Sequence, residues 1–272
     1  MSADQPAETS AQVAETENKT RDVILDIQEV RFAYGGVLAV DGCSFQVERN
    51  TVTGLIGPNG AGKSTLIEII AGGLAPSRGQ ILFNGENIAG MGRTNIARKG
   101  INRTFQLSRQ LARLPVIENV VMAAPNQPGE DPITAIFARR KWWAREAELR
   151  ERSMEMLQWV GLEKMADEPA GTLSGGQRRL LDIARALIAE PKLLLLDEPT
   201  AGVYPALTIL IAERIREIPS HGVTVVMVAH NLAFVARVCD DVVVMSQGKV
   251  LTRGTLDAVR ANKEVVEAYL GV

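Results

Sequence analysis

The sequence predicts an α/β protein in which a doubly wound, largely parallel sheet is joined to an antiparallel β portion and carries an inserted α-helical subdomain. Three observations lead there. A glycine-rich string, Gly57-Pro58-Asn59-Gly60-Ala61-Gly62-Lys63-Ser64-Thr65, stands between the apolar run Leu55-Ile56 and the helix-like stretch Leu66-Ile67-Glu68-Ile69-Ile70. Further along, helix and strand patterns alternate, with near-continuous apolar runs at residues 193–196 and 223–228, as expected of parallel strands buried on both faces. Between these halves, from Leu107 to about Ala170, the strand signal vanishes.

Taken in order, residues 1–22 are mostly Ala, Glu, Gln, Thr and Asp with hardly any large apolar side chain. Burial cannot offset the entropy of ordering such a segment, so a disordered tail is expected. From 23 to 83 short β-rich runs at 23–25, 43–47, 52–56 and 81–83 alternate with turns, broken by the helix after the glycine string. That half reads as mixed α/β with an antiparallel portion. Residues 116–123 and 142–160 have helical character and are separated by a Pro and Gly stretch at 125–132. They are expected to form the helical subdomain, about 107–170, inserted into a core built from about 23–106 and 171–272. In it, Trp142-Trp143 follow Arg139-Arg140-Lys141, a pattern that suits a face toward a membrane protein or lipid headgroups or, more commonly, a helix that buries one Trp and solvates its charges. Helix 175–189, strand 193–196, helix 206–218 and strand 223–228 then complete the alternation. The glycine string should lie at the carboxyl edge of a central strand, where open α/β sheets bind ligands.

Composition narrows the classes. With 272 residues, 46% of them hydrophobic, the chain is long enough to bury a large core. The formal net charge of −2 and pI near 5.9 give no basic bias, so no nucleic-acid partner is indicated, and the basic clusters at 93–113 and 139–152 read as solvated faces. The two cysteines, Cys43 and Cys239, lack metal-ligand spacing and suit a reducing compartment as small core residues. No stretch reaches the ~18 consecutive apolar residues of a bilayer span, and no signal-peptide core opens the chain, so it is expected to be soluble or held peripherally by a partner.

The chemistry begins at the glycine string. Gly57, Gly62, Lys63 and Ser64 meet the pattern G-x-x-x-x-G-K-[ST], with Asn59, Gly60 and Thr65 completing the cradle. Glycines let backbone N–H groups converge on phosphate oxygens, and the following helix aims its positive end at the same anion. Lys63 is expected to reach the terminal phosphates and Ser64 to hold Mg²⁺ through its hydroxyl. The apolar strand 193–196 ends in Asp197-Glu198. In a phosphate-loop enzyme the first acid would position Mg²⁺ and the second would polarise the attacking water as general base. Ser174-Gly175-Gly176-Gln177 opens a helix, Ser174 suiting an N-cap and the glycines leaving first-turn N–H groups open to a second anion. A plain capped helix is the alternative for that segment alone.

With Leu173-Ser174-Gly175-Gly176-Gln177 joined to the phosphate loop and Asp197-Glu198, the sequence resembles the ATP-binding subunits of ABC transporters over nearly all of residues 23–272. The resemblance implies a RecA-like P-loop NTPase core that takes ATP and Mg²⁺ and hydrolyses ATP. It assigns Tyr34 to adenine stacking, Gln106 to reporting on Mg²⁺ and water, and His230 to the γ-phosphate. It also implies a second ATPase subunit closing head to tail, so that ATP lies between Lys63 of one and Ser174 of the other. Integral membrane permease subunits, an extracytoplasmic solute-binding protein and a place at the cytoplasmic face of the membrane follow from the same resemblance.

Within that superfamily the sequence is most similar to the branched-chain amino-acid uptake class. The similarity rests on Arg103-Thr104-Phe105-Gln106, Val116-Ile117-Glu118-Asn119-Val120, the long segment 124–150 and the ending Ala268-Tyr269-Leu270-Gly271. Two positions depart from the family. Tyr204 stands where a D-loop Asp or Asn is usual, and Asn231 follows His230 in place of Asp. Alternatives are an ATPase for lipid or lipopolysaccharide export and a regulatory module that holds ATP without cleaving it. Soluble ABC ATPases of DNA repair or translation carry long coiled coils or two cassettes, and neither is present.

Overall fold

The computed structural model describes residues 22–104, 111–125 and 139–270. The expected tail up to residue 21, Gln106 and most of the Pro and Gly stretch lie outside the described residues, as do the side chains of Trp142 and Trp143.

Two sheets organise the chain. Strands β1 (Val23–Tyr34), β2 (Val37–Glu48), β4 (Arg78–Phe83) and β5 (Glu86–Asn87) form an antiparallel sheet in the order β2-β1-β4-β5. The larger sheet contains β3 (Val52–Ile56), β6 (Ile101–Arg103), β7 (Leu193–Asp197), β8 (Thr224–Val228), β9 (Asp241–Ser246) and β10 (Lys249–Gly254), in the order β10-β9-β3-β8-β7-β6. All its pairings are parallel except β9 with β10 at the edge. The glycine string therefore leaves the carboxyl end of an interior strand, β3, flanked by β8 and β9.

Alternation along the parallel strands shows why their sequences are apolar throughout. Leu194, Leu196, Val225 and Met227 face one buried cluster, while Leu193, Leu195, Val226 and Val228 face another. The second cluster holds α1 (Lys63–Ile70) and the antiparallel sheet; the first holds α3 (Val116–Val121), α4 (Arg139–Val160), α5 (Gly175–Leu187), α6 (Pro205–Glu217) and α7 (Leu232–Val238). Each such side chain gains about 1.5–3 kcal/mol by leaving water. Three further helices add to these clusters: α2 (Arg93–Arg98), after β5, gives Ile96 to the second, and α8 (Leu256–Ala261) and α9 (Lys263–Leu270), after β10, give Val259 and Val265 to the first.

Differences from expectation have physical reasons. β1 and β2 are twelve residues each, far longer than the runs at 23–25 and 43–47. Their polar residues sit on an exposed face or at irregular register, as at Glu29, whose φ of 49° falls between the paired residues Ile27 and Val30. The basic residues of 93–113 are not all solvated: Arg103 is 20% exposed and ion-paired to Glu68 and Asp197. Both cysteines behave as small core residues, burial pushing each thiol up to about 12.

Candidate functional site

The loop from β3 to α1 depends on missing Cβ atoms at two close approaches. A Cβ on Gly57 would lie 2.0 Å from the Met245 carbonyl oxygen of β9, and one on Gly62 would lie 2.2 Å from the Ala39 carbonyl oxygen of β2. Both residues also have positive φ, 144° and 95°, where side chains are strained. The loop is thus wedged between the two sheets.

Lys63 begins α1 and is 5% exposed. Its ammonium donates to the carbonyls of Gly57 at 2.9 Å and Pro58 at 2.8 Å, two of three donors. Burial holds its pKa below the ordinary lysine value, while the nearby charges of Glu198 and Asp197 pull it back up. A partly desolvated cation inside a glycine cradle fits a phosphate chain.

The cleft measures about 330 Å³ and gathers Asn59, Gly60, Gly62, Lys63, Ser64 and Thr65 from the loop with Glu198 from the end of β7 and His230 from the end of β8. Ala39 of β2 closes one side. His230 Nε2 and Glu198 Oε1 are 2.6 Å apart. Glu198 has φ 48°, the left-handed region that a non-glycine residue rarely occupies. Its N–H donates to the Val228 carbonyl at 3.0 Å, which ties the strained residue to β8.

Asp197, one residue earlier, directs its carboxylate to Arg103, whose Nη2 donates to Oδ2 at 3.0 Å. Arg103 also pairs with Glu68 of α1, and Glu68 pairs in turn with Arg93. Despite the burial that opposes ionisation, those two guanidinium groups hold the Glu68 carboxyl below its usual range. Ser64 and Asp197 are hard oxygen donors suited to Mg²⁺. Among the described residues no three His, Cys, Asp or Glu side chains form a metal cage. One hydroxyl and one carboxylate sharing the ion with phosphate oxygens is the arrangement these donors fit.

The remaining predicted residues lie elsewhere. Tyr34 ends β1, is 54% exposed and stacks edge-on against Phe32 with ring centroids 4.9 Å apart. It is not among the residues lining the cleft. Ser174, Gly175, Gly176 and Gln177 open α5 and are also absent from that lining. Ser174 and Gln177 form a reciprocal capping box, Gln177 N–H to Ser174 Oγ at 3.4 Å and Ser174 N–H to Gln177 Oε1 at 2.9 Å. Gly176 has a further reason to be glycine: a Cβ there would come 2.5 Å from Leu207 Cδ1 of α6. The departures are also explained locally. Asn231 caps α7 by accepting from Ala233 and Phe234 N–H at 2.9 and 3.1 Å, work that Asp does equally well. Tyr204 precedes Pro205 at the start of α6 and is 79% exposed.

Sequence reasoning missed Ala39, Glu68 and the pairing role of Arg103. Ala39 contributes backbone and surface from a strand with no motif, and the ion pairs join residues 35 and 94 positions apart.

Residues 40–201 match the family described as ABC transporter. The high-affinity branched-chain amino acid transport ATP-binding protein BraF of Pseudomonas aeruginosa is 37% identical over 249 residues, 91% of this chain and 98% of that protein. The corresponding LivG protein of Escherichia coli K12 is 33% identical over 249 residues, with coverage of 91% and 98%. Among solved structures, a nucleotide-free ATP-binding cassette from an ABC transporter is similar at a TM-score of 0.80 and 35% identity, covering 92% of this chain and all of that one. A cassette in its ADP conformation is similar at a TM-score of 0.80 and 35% identity, with coverage of 92% and 99%.

Proposed function

The chain belongs to the ABC transporter family as an ATP-binding subunit, and on that premise we propose that it hydrolyses ATP to drive uptake of branched-chain amino acids or related small polar solutes. The observation that carries the reading is the cleft in which Lys63, Ser64, Glu198 and His230 converge. Amino-acid cargo is supported by the names of the relatives alone.

In this reading the loop amides and Lys63 bind the phosphate chain, and Tyr34 takes the adenine ring. Glu198 withdraws a proton from the attacking water, with His230 orienting its carboxylate and reaching the γ-phosphate. Ser64, Asp197 and Gln106 would hold Mg²⁺, which would supply positive charge against the phosphate chain. Ser174 to Gln177 do not line the same cleft, so the second anion site is completed by another ATPase subunit docked head to tail. ATP favours that closed pair because it binds the closed state more tightly than the open one. The region about 107–170 is read as the helical subdomain that passes closure to membrane permease subunits, which receive solute from an extracytoplasmic binding protein. None of the helices among the described residues is long and apolar enough to cross a membrane, which suits a peripheral subunit on the cytoplasmic face.

The test is MgATP turnover by the purified chain, alone and with the membrane proteins that co-purify with it. Turnover coupled to amino-acid uptake in vesicles supports the proposal. Nucleotide binding without any turnover favours the regulatory-module reading, to which the exposed Tyr204 lends its one specific observation. Phospholipid or lipopolysaccharide movement in place of amino-acid uptake would redirect the cargo.

A further inference from the structure

Four charged side chains form an unbroken alternating chain below the phosphate loop. Arg93 of α2 pairs with Glu68 of α1, Glu68 pairs with Arg103 of β6, and Arg103 pairs with Asp197 of β7. Three of the four, Glu68, Arg103 and Asp197, have side chains only about one-fifth exposed, at 21%, 20% and 23%. Screening by water and salt is therefore weaker for them than for a surface pair. Arg103 uses one guanidinium nitrogen on each carboxylate, Nη1 on Glu68 and Nη2 on Asp197. Its planar fork is suited to spanning two acids in this way.

We propose that Arg103 is a positioning residue that acts as the internal counter-ion of Asp197, suppressing capture of a free divalent cation so that Mg²⁺ enters with nucleotide. The inference rests on the reading of Asp197 as the Mg²⁺ carboxylate. Two carboxylates near the loop would by themselves attract a divalent cation, because each carries a full negative charge in a half-dry setting. Arg103 neutralises that field and occupies Asp197 Oδ2. A triphosphate adds its own negative charge and oxygen ligands beside Lys63 and Ser64. Only with those present does the balance tip toward the metal, and Arg103 keeps Glu68 as its alternative partner. The arrangement makes the metal and nucleotide sites thermodynamically coupled, each raising affinity for the other.

The test uses Mn²⁺, whose free ion is read directly by electron paramagnetic resonance, on the full chain with and without ATP. Arg103→Gln is expected to bind Mn²⁺ without nucleotide about tenfold more tightly than the unsubstituted chain, within the usual span of a site-to-site coupling. Arg103→Gln combined with Asp197→Asn should lose that gain. A purely structural role for Arg103 would lower the melting temperature and leave Mn²⁺ affinity unmoved, which overturns the proposal. If Arg103→Gln does not fold, Glu68→Gln reads the same balance from the other side. Arg103 then turns wholly to Asp197, and the Mn²⁺ needed to half-saturate ATP binding should rise about threefold, the size of a modest ion pair. No change there is equally fatal. The two readings fail separately. If Asp197→Asn weakens Mn²⁺-dependent ATP binding while Arg103→Gln changes nothing, the metal assignment stands and the counter-ion role falls. If Asp197→Asn leaves that dependence intact, the metal assignment falls and takes the counter-ion role with it.

Discussion

His230 Nε2 sits 2.6 Å from Glu198 Oε1, linking the residues that follow the neighbouring parallel strands β7 and β8 across the mouth of the phosphate cleft. The contact gives Glu198 a fixed aim, because its backbone is already held in the left-handed region by the bond from its N–H to Val228. Under the proposed hydrolysis, a carboxylate oriented in this way would polarise the attacking water.

Glu198→Gln preserves the shape and the contact to His230 while removing the basic carboxylate. ATP turnover should fall by at least about 100-fold, the usual contribution of a positioned general base, with ATP affinity nearly unchanged. Steady-state phosphate release and calorimetric binding measured on the same preparation check both halves. Turnover within a few-fold of the unsubstituted chain would remove the base assignment.

Lys63→Ala should act on binding. Losing a charge-assisted contact to phosphate costs about 1.5–3 kcal/mol, or roughly 10- to 100-fold in ATP affinity. Fluorescent-nucleotide titration reads this directly. Native affinity in the variant would mean that the ammonium serves only its own loop carbonyls.

Asp182 of α5 offers a pH signature separate from the site. Its side chain is 7% exposed, and burial pushes its pKa up to about 6 even though Arg185 and Arg179 oppose the shift. An unfolded aspartate titrates near ~3.9. Between those values the folded chain binds more protons than the unfolded one, so stability falls as pH rises from about 4 to 6 and stays reduced above. Asp182→Asn should abolish that slope and stabilise the protein at neutral pH by up to about 3 kcal/mol, the free-energy equivalent of that rise in pKa. Urea melts at pH 4.5 and 7.5 compare the two chains, and an unchanged slope would show that Asp182 ionises normally.

Gly176 and Gly175 should respond unequally to the same substitution. Gly176→Ala drives a methyl into Leu207 and should cost about 1–3 kcal/mol through overpacking. At Gly175 a Cβ would meet only the Gly202 carbonyl oxygen at 3.7 Å, so Gly175→Ala should stay within about 0.5 kcal/mol. Thermal melts of both variants test whether the second glycine is held by packing against α6. Equal losses at both positions would refute the packing account.

The parallel sheet, the phosphate loop, the capped start of α5 and the acid pair at the end of β7 were all legible in the chain itself. Each is a local matter: a run of Leu193 to Leu196 declares a strand buried on both faces, and Gly57 to Ser64 encodes a backbone path within eight neighbouring residues. The longer elements were less legible where their pattern depends on exposure, as in β1 and β2, whose polar residues face solvent or fall at bulges. Folding alone decided that Ala39 and Met245 press against Gly62 and Gly57, and that Arg103 answers both Glu68 and Asp197. Those relationships join residues tens to nearly two hundred positions apart. Local preference carries no trace of such partners, because their energies exist only once burial has removed the water between them.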